Sequence, residues 1–397
     1  MRCDALVGYA WCRSSYTAIR SLSRLGLRVA AADSTRFGMG QCSRYAAARF
    51  VHADPQADPD QFLRDLRRIL RQCRAHFYLP GHDEGEIAAR HRDRLPANVI
   101  LPLADAQRLA LANDKLRTTE LAESLGVPVP RRMVWETPVD LADAVRHLGA
   151  PVVVKLRRGC GAKGVFYASS PEEAAQTVRD VIAQYQLTAE RHPIVQQRVY
   201  AEGWGVSCLY WEGQRIASFT HRRLREKTIT GGTSTLRASA RNPAMEAYAH
   251  RLLDHLRWHG LAMVEFKWDP AARQAWFLEI NPRLWGSIAL PVACGVDFPA
   301  LMYIAATQGA DEARRRVCRY REGVVARWYL GDLILGANLL ARRRFRAALR
   351  QFLPGGEDVY DDLLWDDPGA TIAEFLSYLV RFLKQRSTNP VDRGILG

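Results

Sequence analysis

The feature that most constrains this chain is a pair of short apolar runs with acids inside them. They are Met263-Val264-Glu265-Phe266-Lys267 and Phe277-Leu278-Glu279-Ile280-Asn281-Pro282-Arg283. Both read as β-strands, and side chains alternate along a strand, so Glu279 and Asn281 project from one face. A hairpin would set Glu265 beside Glu279. Two carboxylates on a half-buried sheet face repel each other unless positive charge joins them. Arg283 is available for a purely structural pairing. The alternative is a hard divalent cation: two carboxylates and an amide oxygen suit Mg2+, which keeps waters and substrate phosphates as its other ligands.

The rest of the composition excludes classes rather than naming one. The chain has 397 residues, of which 48% are hydrophobic and 25% charged, an ordinary globular balance for two to three domains. No apolar run approaches the roughly 18 residues that cross a bilayer. The best candidate, 323–341, is interrupted by Arg327 and Asp332. Met1-Arg2-Cys3-Asp4 lacks a signal-peptide layout because Asp4 stands where the apolar core would begin, so a soluble, cytoplasmic protein is expected. The eight cysteines form no CxxC, which suggests neither a zinc site nor a redox pair.

The net charge is +14, yet only six of the 56 cations are lysine: 115, 155, 163, 227, 267 and 384. Arginine is a planar fork, whereas lysine is a compact point charge that can sit among phosphate oxygens. The few lysines are therefore positions to inspect. Residues 312–350 hold eleven arginines against three acids. Such a stretch can meet nucleic acid, but helices packing on the core and pairing two copies as a homodimer are the preferred reading.

Residues 1–112 alternate apolar runs and helical patterns as βαβ units do. A dinucleotide fold would want GxGxxG after the first strand, and the chain offers Gly8-Tyr9-Ala10-Trp11-Cys12-Arg13; the NAD reading fails on that. Asp33 then reads as a strand-end turn. Strands are also expected at 76–79 and 99–101. Asn113-Asp114 caps a helix with Lys115 in its first turn. Pro151-Val152-Val153-Val154-Lys155-Leu156 is a buried strand, followed by a turn bearing Gly159, Gly161, Lys163 and Gly164 and a return strand. From Ile194 the pattern becomes antiparallel, and 311–397 reads as helical. Lys155 closes an apolar strand and must aim at a partner or a cleft, since an unpaired buried ammonium is costly. The glycines free backbone N–H groups to approach phosphates, although a plain hairpin turn explains them equally well. His221-Arg222-Arg223-Leu224-Arg225-Glu226-Lys227, before Gly231-Gly232-Thr233-Ser234, looks like an anion clamp followed by a lid loop.

Taken together, these motifs resemble the ATP-grasp superfamily, and within it the carboxylate–amine ligases of the carbamoyl-phosphate-synthase-like type. The resemblance runs from about Asn113 to Gly309 and more loosely over the first 112 residues. It implies an α/β chain with an α+β core: an N-terminal βαβ domain (1–112), a two-lobed ATP-grasp domain with an antiparallel sheet, and a helical C-terminal region (311–397). The small lobe is 113–190 and the large lobe, with the metal site, 191–310. It also implies ATP and Mg2+ as cofactors, with two ions and Mn2+ as a substitute. Lys115 and Lys155 match the two ATP lysines; Gly159, Gly161, Lys163 and Gly164 resemble the phosphate loop. Ile194 to Val199, with Gln196 and Gln197, resembles the hinge that holds adenine, and Glu202 approximates a ribose acid. Gln197 departs from the glutamate usual there. Glu265, Glu279 and Asn281 resemble the metal ligands, and Arg283, with Lys227 and Arg223, the cations around the transferred phosphoryl group.

The implied activity is an ADP-forming carbon–nitrogen ligase that activates a carboxylate as an acyl phosphate and joins it to an amine. Its partners would be those two small molecules, with no nucleic acid and no membrane span. A thiol, hydroxyl or ammonia acceptor, or a non-catalytic ATP-binding module, are the rival readings. His82, Asp83, Glu84 and Trp285-Gly286-Ser287 are candidates for the substrate pockets.

Overall fold

A computed structural model of the chain describes residues 2–133, 135, 138–159, 164–228, 231–353 and 355–385. The N-terminal strands β1 (Ala5–Val7), β2 (Val29–Asp33), β3 (Ala46–Val51) and β4 (Phe77–Leu79) form one parallel sheet in the order β3-β2-β1-β4. Parallel pairing is bought with helical crossovers, here Arg13–Arg24 and Pro59–Cys73 among them. Asp58 starts the second of these by accepting from the Gln61 N–H at 2.9 Å. The edge strand β3 has no counterpart in the sequence reading, because Ala-Ala-Ala-Arg lacks the branched residues that mark a strand. Residues 99–101 make a single bridge, Ile100 to Phe77, rather than a full strand.

A small antiparallel sheet follows, in the order β6-β5-β7, from β5 (Val152–Lys155), β6 (Val165–Ala168) and β7 (Ile194–Gln197). The hinge strand β7 thus pairs with β5, so the small sheet continues to Gln197, beyond the sequence-based boundary at 190. The largest sheet contains β8 (Glu202–Trp211), β9 (Gln214–Thr228), β10 (Gly231–Ala240), β11 (Gly260–Asp269) and β12 (Gln274–Asn281). Two short strands from the C-terminal region, β13 (Val325–Arg327) and β14 (Val359–Tyr360), complete it in the order β12-β11-β8-β9-β10-β13-β14.

Two expectations change here. The C-terminal region is not helical throughout, since β13 pairs with β10 and β14 with β13; runs this short leave no readable period. Residues 231–234 are not a lid loop either. They lie in β10 and pair with β9 through an irregular register between Gly231 and Ser234, the kind of bulge that glycine permits. Gly161 and Lys163 lie outside the described residues.

One apolar core joins the N-terminal sheet to the large sheet: Val7, Ile19 and Leu22 pack with Leu209, Phe219, Met263 and Leu301. Fully burying each such side chain contributes roughly 1.5–3 kcal/mol, and the shared core fixes the ends of β1 and β4 over the face of β11. A separate cluster, including Val152, Val154, Val178 and Val195, holds the small sheet. The arginine-rich stretch divides into two kinds. Arg314 pairs with Asp311, Arg315 and Arg316 pair with Glu312, and Arg327 is buried against Asp332 and Glu357. Arg342, Arg343, Arg344, Arg346 and Arg350 are exposed. Among the described residues no helix is long and apolar enough to cross a membrane.

Candidate active site

β11 and β12 pair with Glu265 opposite Glu279 and Met263 opposite Asn281. The Asn281 amide bridges the acids, its Nδ2 donating to Glu265 Oε1 at 3.0 Å and to Glu279 Oε1 at 3.2 Å. Its Oδ1 accepts from Arg283 Nη1 at 2.6 Å. Each carboxylate has its own cation: Arg223 Nη2 lies 2.6 Å from Glu265 Oε1 and Lys115 Nζ 3.2 Å from Glu279 Oε2. Burial raises the Glu265 carboxyl; Arg223 opposes this, Glu279 adds to it, and the net direction is up. Burial also pushes Glu279 up, but Lys115, Arg283 and Lys155 outweigh it and hold that acid below its ordinary range. The pair is therefore electrically uneven, with one acid held down by three cations.

Lys115 opens its helix, where Asp114 accepts from the Leu116 and Arg117 N–H groups. Its ammonium also donates to the Gly159 carbonyl at 2.8 Å, tying the helix to the glycine turn. Gly164 closes that turn at φ +66°, where a Cβ would stand 2.5 Å from Leu156 Cδ1. Lys155 ends β5 facing the same space; burial pulls its ammonium down to about 8, with Glu279 opposing and Lys115 reinforcing the shift.

These groups converge on a cavity of about 570 Å³. Lys115, Lys155, Gln197, Val199, Arg223, Lys227, Glu265, Glu279, Asn281 and Arg283 all line it, as does the 285–287 segment. Gln196 is buried behind the hinge instead, where β7 alternation turns it away. Glu202 is a correction: it is exposed at the start of β8, accepts from the Trp204 indole at 3.1 Å, and does not line the cavity. Side-chain alternation on an extended strand decides that outcome.

His221 also differs from the clamp expected of it. It is buried, its ring packed where a Gly205 Cβ would lie 2.6 Å from Cε1. Burial, with Arg223 and Arg237 adding to it, pushes its pKa down to about 3, so it is neutral at pH 7. A histidine depressed below its unfolded value of about 6.5 takes up a proton preferentially when unfolded. Stability is thus retained above pH 6.5 and lost as pH falls from there toward 3. Wild type is expected to lose about 2 kcal/mol more than His221→Asn between pH 7 and pH 5, as measured by urea unfolding at each pH.

Sequence reasoning missed one wall entirely. Trp11, Arg13, Trp328, Glu374 and Tyr378 face the cavity from the N-terminal loop and the C-terminal region. The Arg13 guanidinium lies 3.7 Å from the Trp328 ring centroid. Arg198 was missed too, its guanidinium 4.4 Å from the Tyr167 ring and 4.5 Å from Tyr200. Lys267 also lines the cavity and donates to the Ala201 carbonyl at 2.9 Å. The scarcity of lysine was the available signal for it. Arg13 and Trp328 carried no local pattern.

Two family models match the chain. A RimK-like ATP-grasp domain covers residues 112–230, and an ATP-grasp domain of a biosynthetic pathway with the Ter operon covers 190–329. Both are ATP-grasp models, and together they span residues 112–329 of this chain. A probable alpha-L-glutamate ligase of Alkalilimnicola ehrlichii is 25% identical over 224 residues, 54% of this chain and 70% of that protein. A ribosomal protein bS6–L-glutamate ligase of Escherichia coli is 32% identical over 127 residues, 32% of this chain and 40% of that protein. The L-amino acid ligase of Bacillus licheniformis shares the fold at 15% identity and a TM-score of 0.62, over 81% of this chain and 78% of that one. Within the ATP-grasp fold, the cavity lies between the small sheet and β11–β12.

Proposed function

We propose that this ATP-grasp protein is an ATP-dependent ligase. It activates a substrate carboxylate as an acyl phosphate and joins it to an amine, releasing ADP and phosphate. The reading extends the ligase names of the relatives to this chain. The observation that carries it is the convergence of Lys115, Lys155, Glu265, Glu279 and Arg283 on one cavity.

The donor set fits a hard divalent cation. Both carboxylates face the cavity, and each now leans on a cation of the chain itself. Asn281 would add its oxygen only with the amide turned over, because its Nδ2 faces the acids. Magnesium held by Glu265, Glu279 and Asn281 would withdraw charge from the β- and γ-phosphates, and the same oxygens suit two ions or manganese. Lys115 and Lys155 would bind the triphosphate, with Gln197 and Val199 toward the base. The substrate carboxylate oxygen attacks the γ-phosphorus, the bond to the departing ADP oxygen breaks, and Arg283 and Lys227 stabilise the charge that builds up. The amine then attacks the acyl carbon, the C–O bond breaks, phosphate leaves, and the surplus amine proton passes to solvent. The ATP supply of the cytoplasm suits this chemistry.

The deciding experiment is ADP release with Mg-ATP across a panel of carboxylates, each with and without amines. ADP that requires both partners supports the ligase; nucleotide binding without turnover on any pair would point to the non-catalytic module. Lys155 supplies a second test. Its ammonium, near 8 in the free protein, must be charged to hold phosphate. Affinity for a fluorescent ATP analogue should fall about tenfold per pH unit above pH 8. Lys155→Arg, permanently charged, should flatten that dependence; an unchanged slope would remove Lys155 from the phosphate site.

A further inference from the structure

A second cavity, of about 880 Å³, adjoins the first and shares Tyr9, Trp11 and His82 with it. One side is formed where β2 and β4 of the parallel sheet end, at Asp33 and His82–Glu84, the position at which open parallel sheets present a crevice. The helix Pro368–Gln385 forms the other.

Four acids line this cavity, and each is engaged within the protein: Asp54 accepts from the Gln56 and Ala57 N–H groups at 3.0 and 3.3 Å, and Asp83 pairs with His82 at 3.1 Å. Asp33 accepts from the Trp11 and Thr35 N–H groups at 3.0 and 2.9 Å. Glu84 accepts from the Gly81 and His82 N–H groups at 2.7 and 3.1 Å. Arg381, Gln56, Ser34, Thr35 and Ser377 also line it, and the larger part of the remaining wall is apolar. Phe37, Ile372, Leu376 and Val380 line the cavity with 73%, 58%, 54% and 47% of their surface exposed. Solvated apolar walls in a concave site mark a place where ligand carbon is buried. One polar atom is also left over. His52 is buried with Nδ1 2.8 Å from the Ala53 carbonyl, and its Nε2 has no hydrogen-bond partner among the described residues. A carbonyl only accepts, so Nδ1 carries the hydrogen and Nε2 offers a lone pair to a donor.

We propose that this second cavity takes a large apolar side chain, aromatic or branched aliphatic, of a substrate whose reacting group passes Tyr9, Trp11 and His82 into the first cavity. The inference rests on the ligase reading for its chemistry. It separates this chain from glutamate-specific ligation, because a glutamate side chain would place a carboxylate against Leu376 and Ile372, while the Arg381 guanidinium that also lines the cavity is stacked 3.8 Å from the Trp11 ring centroid. The same apolar group can belong to the amine or to the carboxylate substrate.

The test titrates 8-anilinonaphthalene-1-sulfonate into the full chain and competes it with phenylalanine, 3-phenylpropanoate, phenethylamine and glutamate, alongside ADP release with each. Leu376→Asp is the variant, since a carboxylate at an exposed position threatens folding little, and ATP-analogue affinity checks that the first cavity is intact. Phenylalanine should displace the probe, glutamate should not, and Leu376→Asp should weaken phenylalanine at least about tenfold with nucleotide affinity unchanged. Competition by phenylpropanoate alone assigns the side chain to the carboxylate partner, and by phenethylamine alone to the amine. Displacement without ADP release in any mixture would uphold the cavity and count against the ligase. Glutamate competing as well as phenylalanine, or a variant that binds phenylalanine like wild type, would overturn the proposal even where ADP is released.

Discussion

Glu279→Ala is expected to abolish ADP release while leaving the protein folded. Glu279 touches the Lys115 ammonium and the Asn281 amide, the two groups that the proposed function sets at the phosphate end of the cavity. Its removal leaves Glu265 as the remaining carboxylate on that wall. Among the described residues, Lys115 would then keep its bond to the Gly159 carbonyl and would stand without its carboxylate partner where the proposed cation binds. Losing one preorganised electrostatic group of this kind lowers turnover by about a hundredfold to a thousandfold. Some stability should be lost as well, because the cations around Glu279 outweigh burial and hold that acid below its ordinary range, although Glu265 keeps its pairing to Arg223. A coupled ADP assay and a thermal melt on the same preparation separate the two effects. Glu202→Ala, outside the cavity, is the matched control and should retain full activity. Turnover retained in Glu279→Ala would remove this carboxylate from the chemistry.

What could be read from the sequence follows how local each signal is. The Glu265–Glu279 pairing was legible because alternation on two neighbouring strands is a local pattern, and a hairpin leaves little choice of register. Lys115 and Lys155 stood out because each sits beside an element boundary in a chain that otherwise uses arginine. Glu202 and His221 misled for the converse reason: motif spacing gave their positions, but the face of an extended strand decided where they point. His221 reads as one more cation in a basic run, and only three-dimensional burial against Gly205 makes it neutral. The wall of Trp11, Arg13, Trp328, Glu374 and Tyr378 joins residues more than 300 positions apart, and no window of sequence holds both sides. The strands β13 and β14 were missed on similar grounds, since the pairing of β13 with β10, which β14 then extends, is a long-range event.

Those long-range contacts lead to the largest stability effect expected. Asp361 is buried between two arginines: Oδ1 pairs with Arg237, which is fully buried on β10, and Oδ2 lies 3.5 Å from Arg13 Nε. Arg13 in turn donates to the Gly286 carbonyl at 3.2 Å. One carboxylate thus connects the N-terminal helix, the large sheet and the C-terminal region behind the active cavity. Replacing it by alanine strands the fully buried Arg237 guanidinium and takes one of the acids from Arg13, which keeps Glu374 nearby; breaking a buried pair in this way costs about 3–5 kcal/mol. The loss belongs to the stranded charges rather than to the ion pair itself. A second change, Arg237→Met in the Asp361→Ala background, should therefore recover part of it, giving a non-additive cycle. Urea unfolding with an unchanged m-value is the measurement. Arg13 lines the cavity, so Asp361→Ala should also raise substrate KM where Arg237→Met alone does so less. A cost below about 1 kcal/mol, the value of a solvated pair, would mean that water reaches Asp361 and that the C-terminal region is docked on the ATP-grasp core rather than built into it.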